Sequence, residues 1–232
     1  MAWGEVRSGR SLDRLLNFSD AVVAVAITLL ALPLVDIEGP GPGQTIGDVL
    51  VANFGQIQTF AVTFVVVAIM WGVHNKVVNR LQAYDTAIFW LSIVWLMGFV
   101  FLPWPSRLYE GTRIGSEGAD AVGGPGVLYW STLALISLMG WLTARHMNKH
   151  RDLIDPAQLP AWDVAMASRA RFRGAAFPIV FVLAAIVTYF VPWLGNACLL
   201  LLIPIGIYLR SPRGAEEQAI AAAAPVDAGP EP

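Results

Sequence analysis

Residues 14–34 read RLLNFSDAVVAVAITLLALPL. About 20 apolar residues suffice for a helix to cross a bilayer, and this run meets that length. It carries one carboxylate, Asp20, about a third of the way along. An Asp at the centre of a membrane helix costs roughly 2.5–3.5 kcal/mol on insertion scales. The helix must therefore offer Asp20 a partner, and the rest of the chain has to supply it.

The chain has 232 residues, of which 56% are hydrophobic and only 14% charged. Soluble domains carry about 25% charged residues, so this composition describes an all-α, polytopic membrane protein. The net charge of −2 says nothing about nucleic acid, but no basic tract suggests a phosphate groove, so no nucleic-acid partner is expected. The single Cys198 stands in an apolar run, where it can form no intrachain disulfide and reads as a small packing residue. The first apolar stretch lacks a small-residue cleavage site and runs on into Pro33 and an acidic loop. It reads as a retained helix rather than a signal peptide.

Hydropathy and Gly/Pro punctuation predict six transmembrane helices in one domain, residues 1–210: about 12–35, 49–73, 86–104, 126–144, 174–191 and 195–209. A short basic turn from His74 to Asp85 joins the second and third. Pro103 and Pro105 stop the third. Pro192, Gly195 and Asn196 fold the last apolar run into a hairpin. A basic segment, Arg145 to Arg173, separates the fourth and fifth helices, and the Ala/Pro/Glu-rich tail 211–232 is expected to be disordered. Six spans put both termini on one side. With the termini in the cytoplasm, every Lys and Arg except Arg107 and Arg113 is internal, and the outer loops hold Asp36, Glu38, Asp48, Glu110, Glu117 and Asp120. That asymmetry follows the positive-inside rule.

The topology predicts which polar groups share a depth. Asp20 lies about 9 Å beyond Arg14 along the first helix at 1.5 Å per residue. The second helix returns with Trp71 and His74 at i, i+3 on one face, and Ser92 lies at a matching level of the third. Ser19, Asp20, Trp71, His74 and Ser92 thus form one polar layer. The layer can clamp helices together, or Asp20 and His74 can relay protons or bind a cation. His146 and His150 are spaced i, i+4 in the basic segment and read as a solvated helix face. The sequence shows no nucleophile, base and metal set for an enzyme, and implies no cofactor or resident metal.

A second pattern runs along the first helix. Phe18, Ala21, Val25, Thr28 and Leu32 fall on one stripe, apolar except for a single hydroxyl. Its spacing suits a packing seam or a pore wall alike.

Arg14-x-x-x-Phe18-Ser19-Asp20, the Ala26–Leu30 run behind it and Trp71-x-x-His74 resemble the transmembrane protein 175 family. The resemblance covers about the first 110 residues in motif and the whole chain in helix pattern. The family comprises potassium-permeable channels of bacteria and of animal endosomes and lysosomes. It implies six helices per chain, a homotetramer in bacterial members, and a central pore lined by the first helix with no loop-built carbonyl filter. Bulky apolar side chains make the constriction. Carried over, Val25 would be the narrow level, Thr28 the hydroxyl level beside it and Leu32 an outer apolar level, with Leu29 the alternative if the helix is rotated. The Phe-Ser-Asp element would brace the helices against Trp71 and His74. The chain departs from the pattern at Val25, where Ile or Leu is common, and at Ser92, where Asn is common. The resemblance implies K+, other monovalent cations or protons as the permeant species, and a bacterial plasma membrane as the location. A proton-coupled carrier using Asp20 is the alternative from another class. A carrier should show internal repeats or broken helices, and the sequence shows no repeat of the first-helix motif.

Overall fold

The computed structural model of the chain describes residues 6–110, 124–167, 171–201 and 215–223. The path starts with a two-residue strand, β1 (Arg7–Ser8). Gly9 then turns the chain at φ 57° into the first helix, α1 (Arg10–Leu29). Pro33 has no N–H to return to the Leu29 carbonyl, so the helix breaks at Leu30–Ala31 and resumes as the single turn α2 (Leu32–Val35). Thr45 and Asp48 cap each other reciprocally at the start of α3 (Ile46–Ala52): the Asp48 amide donates to Thr45 Oγ1 at 3.2 Å, and the Thr45 amide to Asp48 Oδ2 at 2.7 Å. A break at Asn53 separates α3 from α4 (Phe54–Val78).

A second short strand, β2 (Ala83–Tyr84), pairs antiparallel with β1. Asp85 then caps α5 (Thr86–Phe101), accepting from the Ile88 amide at 2.9 Å. The prolines expected to end this helix instead mark a break at Leu102, after which α6 (Pro103–Glu110) continues. The longest helix is α7 (Gly124–Lys149). Two 3-10 turns lead to α8 (Leu159–Ala167), and α9 (Arg171–Phe190) is followed by a 3-10 stretch, Pro192–Leu201. A final helix, Ala215–Ala223, packs beside α8. Those residues belong to the tail read as disordered; the alanine-rich sequence instead forms a helix. The remainder of the tail and residues 202–209 of the expected sixth helix lie outside the described residues.

Among the described residues, four stretches are long and apolar enough to cross a membrane: Arg10–Val35, Phe54–Val78, Thr86–Glu110 and Gly124–Lys149. Gly174–Phe190 is apolar but shorter. The second helix runs five residues beyond its expected end at Val73, and the fourth reaches Lys149 rather than Ala144. His74 is therefore helical, not part of a turn. So is Arg145, at the start of the segment read as a separate basic loop.

Two apolar cores hold the chain. The larger lies along the apolar helices, where Trp95, Phe99, Tyr129, Trp130 and Phe181 are buried against one another. Small residues let the helices approach. A Cβ on Gly98 would stand 2.5 Å from Ile136 Cγ1, and one on Gly126 would collide with Thr188 Cγ2. Thr63 and Tyr129 satisfy each other inside this core at 2.8 Å.

The smaller core gathers Leu12, Leu15, Leu81, Tyr84, Ile88, Met147, Ile154 and Trp162 at one end. Backbone bonds knit it together: Gln82 N–H to Leu153 O at 3.0 Å, and Asp155 N–H to Arg80 O at 2.9 Å. At the other end Arg107 meets Asp36 at 3.2 Å, both well exposed. The β1–β2 pair and the 79–85 and 150–167 connections thus lie at one end, while the ends of α2 and α6 meet at the opposite one. This is the alternation expected of successive spans.

Candidate functional site: the two faces of the first helix

The residues α1 turns into the protein are Leu12, Leu15, Ser19, Val23 and Ala26, with Leu30 just beyond its end. Their spacing traces one side of a 3.6-residue helix. The stripe picked out in the sequence lies on the opposite side. Phe18 is 54% exposed, Val25 59% and Leu32 54%, against 2% for Val23. Ala21 and Thr28 are exposed with them, Leu29 stands at the edge, and Arg14 is exposed one turn before Phe18. The helix presents an uncovered apolar face with one hydroxyl. That hydroxyl is fixed: Thr28 Oγ1 donates to Val25 O at 2.7 Å. Its proton is occupied within the helix, and the oxygen lone pairs remain for an incoming group.

Ser19, Asp20, Trp71, His74 and Ser92 line one small void, so the polar layer assembles at a common depth. Trp71 Nε1–H donates to Asp20 Oδ1 at 2.9 Å, joining α4 to α1 across 51 residues of sequence. This is the partner Asp20 requires. Ser19 is buried but donates to Leu15 O at 2.8 Å, so it serves its own helix. His74 stacks on Trp95, ring centroids 3.9 Å apart and planes 19° from parallel. Ser92 is buried and lines, with Asp20, Trp71 and His74, a void of about 10 Å³. Arg14 and Phe18 are outside this contact, on the uncovered face.

Trp95 was missed by the sequence reading. It lies three residues after Ser92 and so shares its face, the same rule that paired Trp71 with His74. A second contact was also missed. His146 was read as solvated, but its Nε2 lies 2.7 Å from Asp85 Oδ2 with both side chains about one-fifth exposed. His150 stacks on His146 at 4.4 Å between ring centroids. Burial alone would raise the Asp85 carboxyl. The Ile88 amide, the bond to His146 and the charges of His146 and His150 outweigh burial and hold it below the ordinary carboxylate value. Among the described residues, no three His, Cys, Asp or Glu side chains come together to hold a metal.

Long apolar helices that alternate in direction, polar groups paired across them, and a bare apolar face define a multi-pass membrane protein. Residues 14–103, which contain the Asp20–Trp71 contact and the uncovered stripe, match the family described as endosomal/lysosomal potassium channel TMEM175. A protein of Streptomyces collinus named as a potassium channel is 30% identical over 156 residues, 67% of this chain and 72% of that protein. One of Chamaesiphon minutus, also named a potassium channel, is 32% identical over 99 residues, 41% of this chain and 47% of its own length. The human protein named endosomal/lysosomal proton channel TMEM175 is 26% identical over 96 residues, 41% of this chain but only 19% of its own length. The chain belongs to the TMEM175 family of cation channels.

Proposed function

We propose that the chain is a potassium-permeable cation channel. It assembles as a homotetramer whose four copies of α1 turn their uncovered stripes toward a common axis. The observation that carries this reading is that Val25 and Thr28 lie on the face of α1 that the chain's own core leaves bare, with Leu32 exposed at the start of α2 just beyond. One sparsely polar helix cannot line an aqueous path alone, but four copies around an axis enclose a narrow one. Val25 forms the apolar constriction, with Leu29 and Leu32 as the alternative narrow levels. The four Thr28 oxygens, their protons held by Val25 carbonyls, offer lone pairs to a dehydrating cation. An apolar neck of this kind gates by dewetting, emptying of water until it widens.

In this reading Asp20 is a fastener. Its bond to Trp71 fixes the rotation of α1, and with it the direction of the stripe. The fold comprises six spans over 1–210 in a bacterial plasma membrane, with both termini cytoplasmic, and the acidic outer loops concentrate cations at the mouth. Protons are a further permeant species, because the human relative is named a proton channel.

Bilayer recording of the purified protein under a K+/Na+ bi-ionic gradient tests this. A reversal potential favouring K+ is expected, shifted by Thr28→Ala and accompanied by higher conductance in Val25→Ala. Unchanged currents from both variants remove α1 from the pore. Transport that saturates, runs only with a proton gradient and fails in Asp20→Asn would instead establish the carrier.

A further inference from the structure

The core leaves a second apolar face uncovered, on α5 and α6. Trp90, Met97, Phe101 and Trp104 are 54%, 60%, 42% and 56% exposed. At about 100° per residue these positions fall within about 40° of one line along the helix. Half-buried Val94 and exposed Leu108 lie on the same line, which continues through the break at Leu102. Ile88, Trp95, Phe99 and Leu102 lie on the opposite side and are buried. Both outer indoles are braced edge-on by a neighbouring ring: Trp90 by Phe89 at 5.6 Å between centroids, and Trp104 by Phe101 at 5.4 Å.

Charge, ring placement and side-chain size together say what covers this face. Residues 86–106 hold no Asp, Glu, Lys or Arg, and Asp85 and Arg107 close the run at its two ends. At about 1.5 Å per residue the run measures roughly 31 Å, against about 30 Å for the hydrocarbon core of a bilayer. The charge profile of the helix therefore matches the polar, apolar, polar profile of a membrane. Trp90 and Trp104 each stand within about 8 Å, along the axis, of the charge at their own end. An indole joins an apolar body to an N–H that needs a polar partner, and such rings gather at both membrane–water interfaces. Helices that meet one another inside lipid approach through small residues. Gly98, the glycine of α5, faces inward under Ile136, and the outer line holds only large side chains. The bare face of α1 differs on each count, with Ala21 and Thr28 exposed along it and no Trp or Tyr.

We propose that the α5–α6 face is a lipid-contacting perimeter of the protein, with Trp90 and Trp104 in the two interfacial layers and Met97 at acyl-chain depth between them. Copies of the chain meet through other faces.

Spin labelling of the full-length protein in phosphatidylcholine/phosphatidylglycerol vesicles tests this. Cys198→Ala removes the single native thiol, and labels are attached in turn at Trp90→Cys, Met97→Cys and Trp104→Cys. Collision with oxygen, which partitions into acyl chains, is compared with collision with a water-soluble nickel chelate. The Met97→Cys label should collide with oxygen several-fold more than with the chelate, and this excess should fall toward both Trp90→Cys and Trp104→Cys. Low collision with both agents at Met97→Cys means that protein, such as a second copy, covers the face, and overturns the proposal. Ready collision with the chelate there means that water does, and overturns it too. So does an oxygen excess that rises steadily from one tryptophan position to the other. If Met97→Cys does not fold, Phe101→Cys on the same line should show the same oxygen excess. The readout needs no current, so its failure is distinct from any failure of the channel reading.

Discussion

α1 and α7 are both long, apolar helices, yet the protein treats them differently. In the most apolar window of the α7 span 44% of residues are buried, against 22% for the Arg10–Val35 span. α7 sits at the centre of a bundle in which glycines bring neighbours close, Gly98 under Ile136 and Gly126 under Thr188. Those contacts rest on van der Waals packing, the main source of helix association in lipid. α1 touches the bundle through one line of side chains and, among the described residues, is pinned by one long-range side-chain hydrogen bond, Trp71 to Asp20. From Ala21 onward α1 is apolar on every side except for Thr28 yet packed on only one, so its remaining face has another environment. Small, tightly apposed residues mark the part of the molecule that is complete within one chain. The bare stripe marks the part that is completed by something else.

This contrast gives a graded set of outcomes. The largest effect is expected within the bundle. Gly98→Leu would place side-chain atoms inside Ile136, and overpacking of this kind costs about 3 kcal/mol or more. Fluorescence-detected size exclusion should show little folded protein, whereas Val25→Leu on the bare face of α1 should express like the parent.

Asp20→Ala comes next. It leaves the Trp71 N–H without its acceptor, at a cost of roughly 1–3 kcal/mol, and should reduce assembly measured by native mass spectrometry. Asp20→Asn retains an acceptor and should recover most of it. Equal loss in both variants would mean that charge, not the hydrogen bond, holds α1.

The smallest effect is at the end of the molecule held by Asp85 and His146. A carboxyl whose folded pKa is depressed contributes stability above its unfolded value near 4, and loses it as pH falls through the folded value. Asn is as good a helix cap as Asp, so Asp85→Asn removes the charge and keeps the cap of α5. The variant should lose about 0.5 kcal/mol at neutral pH and show a shallower decline in melting temperature on acidification below about pH 4. An unaltered acid limb would remove Asp85 from the pH response.

Much of the fold could be read from the residues. Hydropathy located the apolar helices because a membrane span has to be long and uncharged, and Asp20 drew attention because an ionisable group there needs a partner. Depth matching found Trp71 for that reason. It also placed His74 and Ser92 at the same void, but depth does not specify bonding: the His74 ring stacks on Trp95, and Trp71 takes the bond to Asp20. Ser19 also lies in the layer, but its hydroxyl bonds back to the Leu15 carbonyl, as a serine in a helix can. The segments around Leu81 and Ile154 were read as polar connections. Their apolar residues are too short a run to show periodicity, and the Leu81–Ile154 bridge that joins them is a contact distant in sequence. The stripe on α1 was visible as a spacing, but spacing alone did not distinguish a seam from an uncovered face. Only the position of the buried line opposite it did.

The central claim is that the bare face of α1 lines a water-filled path. It is tested most directly by Ag+, a cation near K+ in size that reacts with thiolates, applied to K+ currents from Val25→Cys. Irreversible block is expected in Val25→Cys, with none in the parent protein, which retains Cys198, or in Val23→Cys on the buried side of the same helix. If Val25→Cys current is untouched by Ag+ while Val23→Cys is blocked, the ion path runs elsewhere and the account is contradicted.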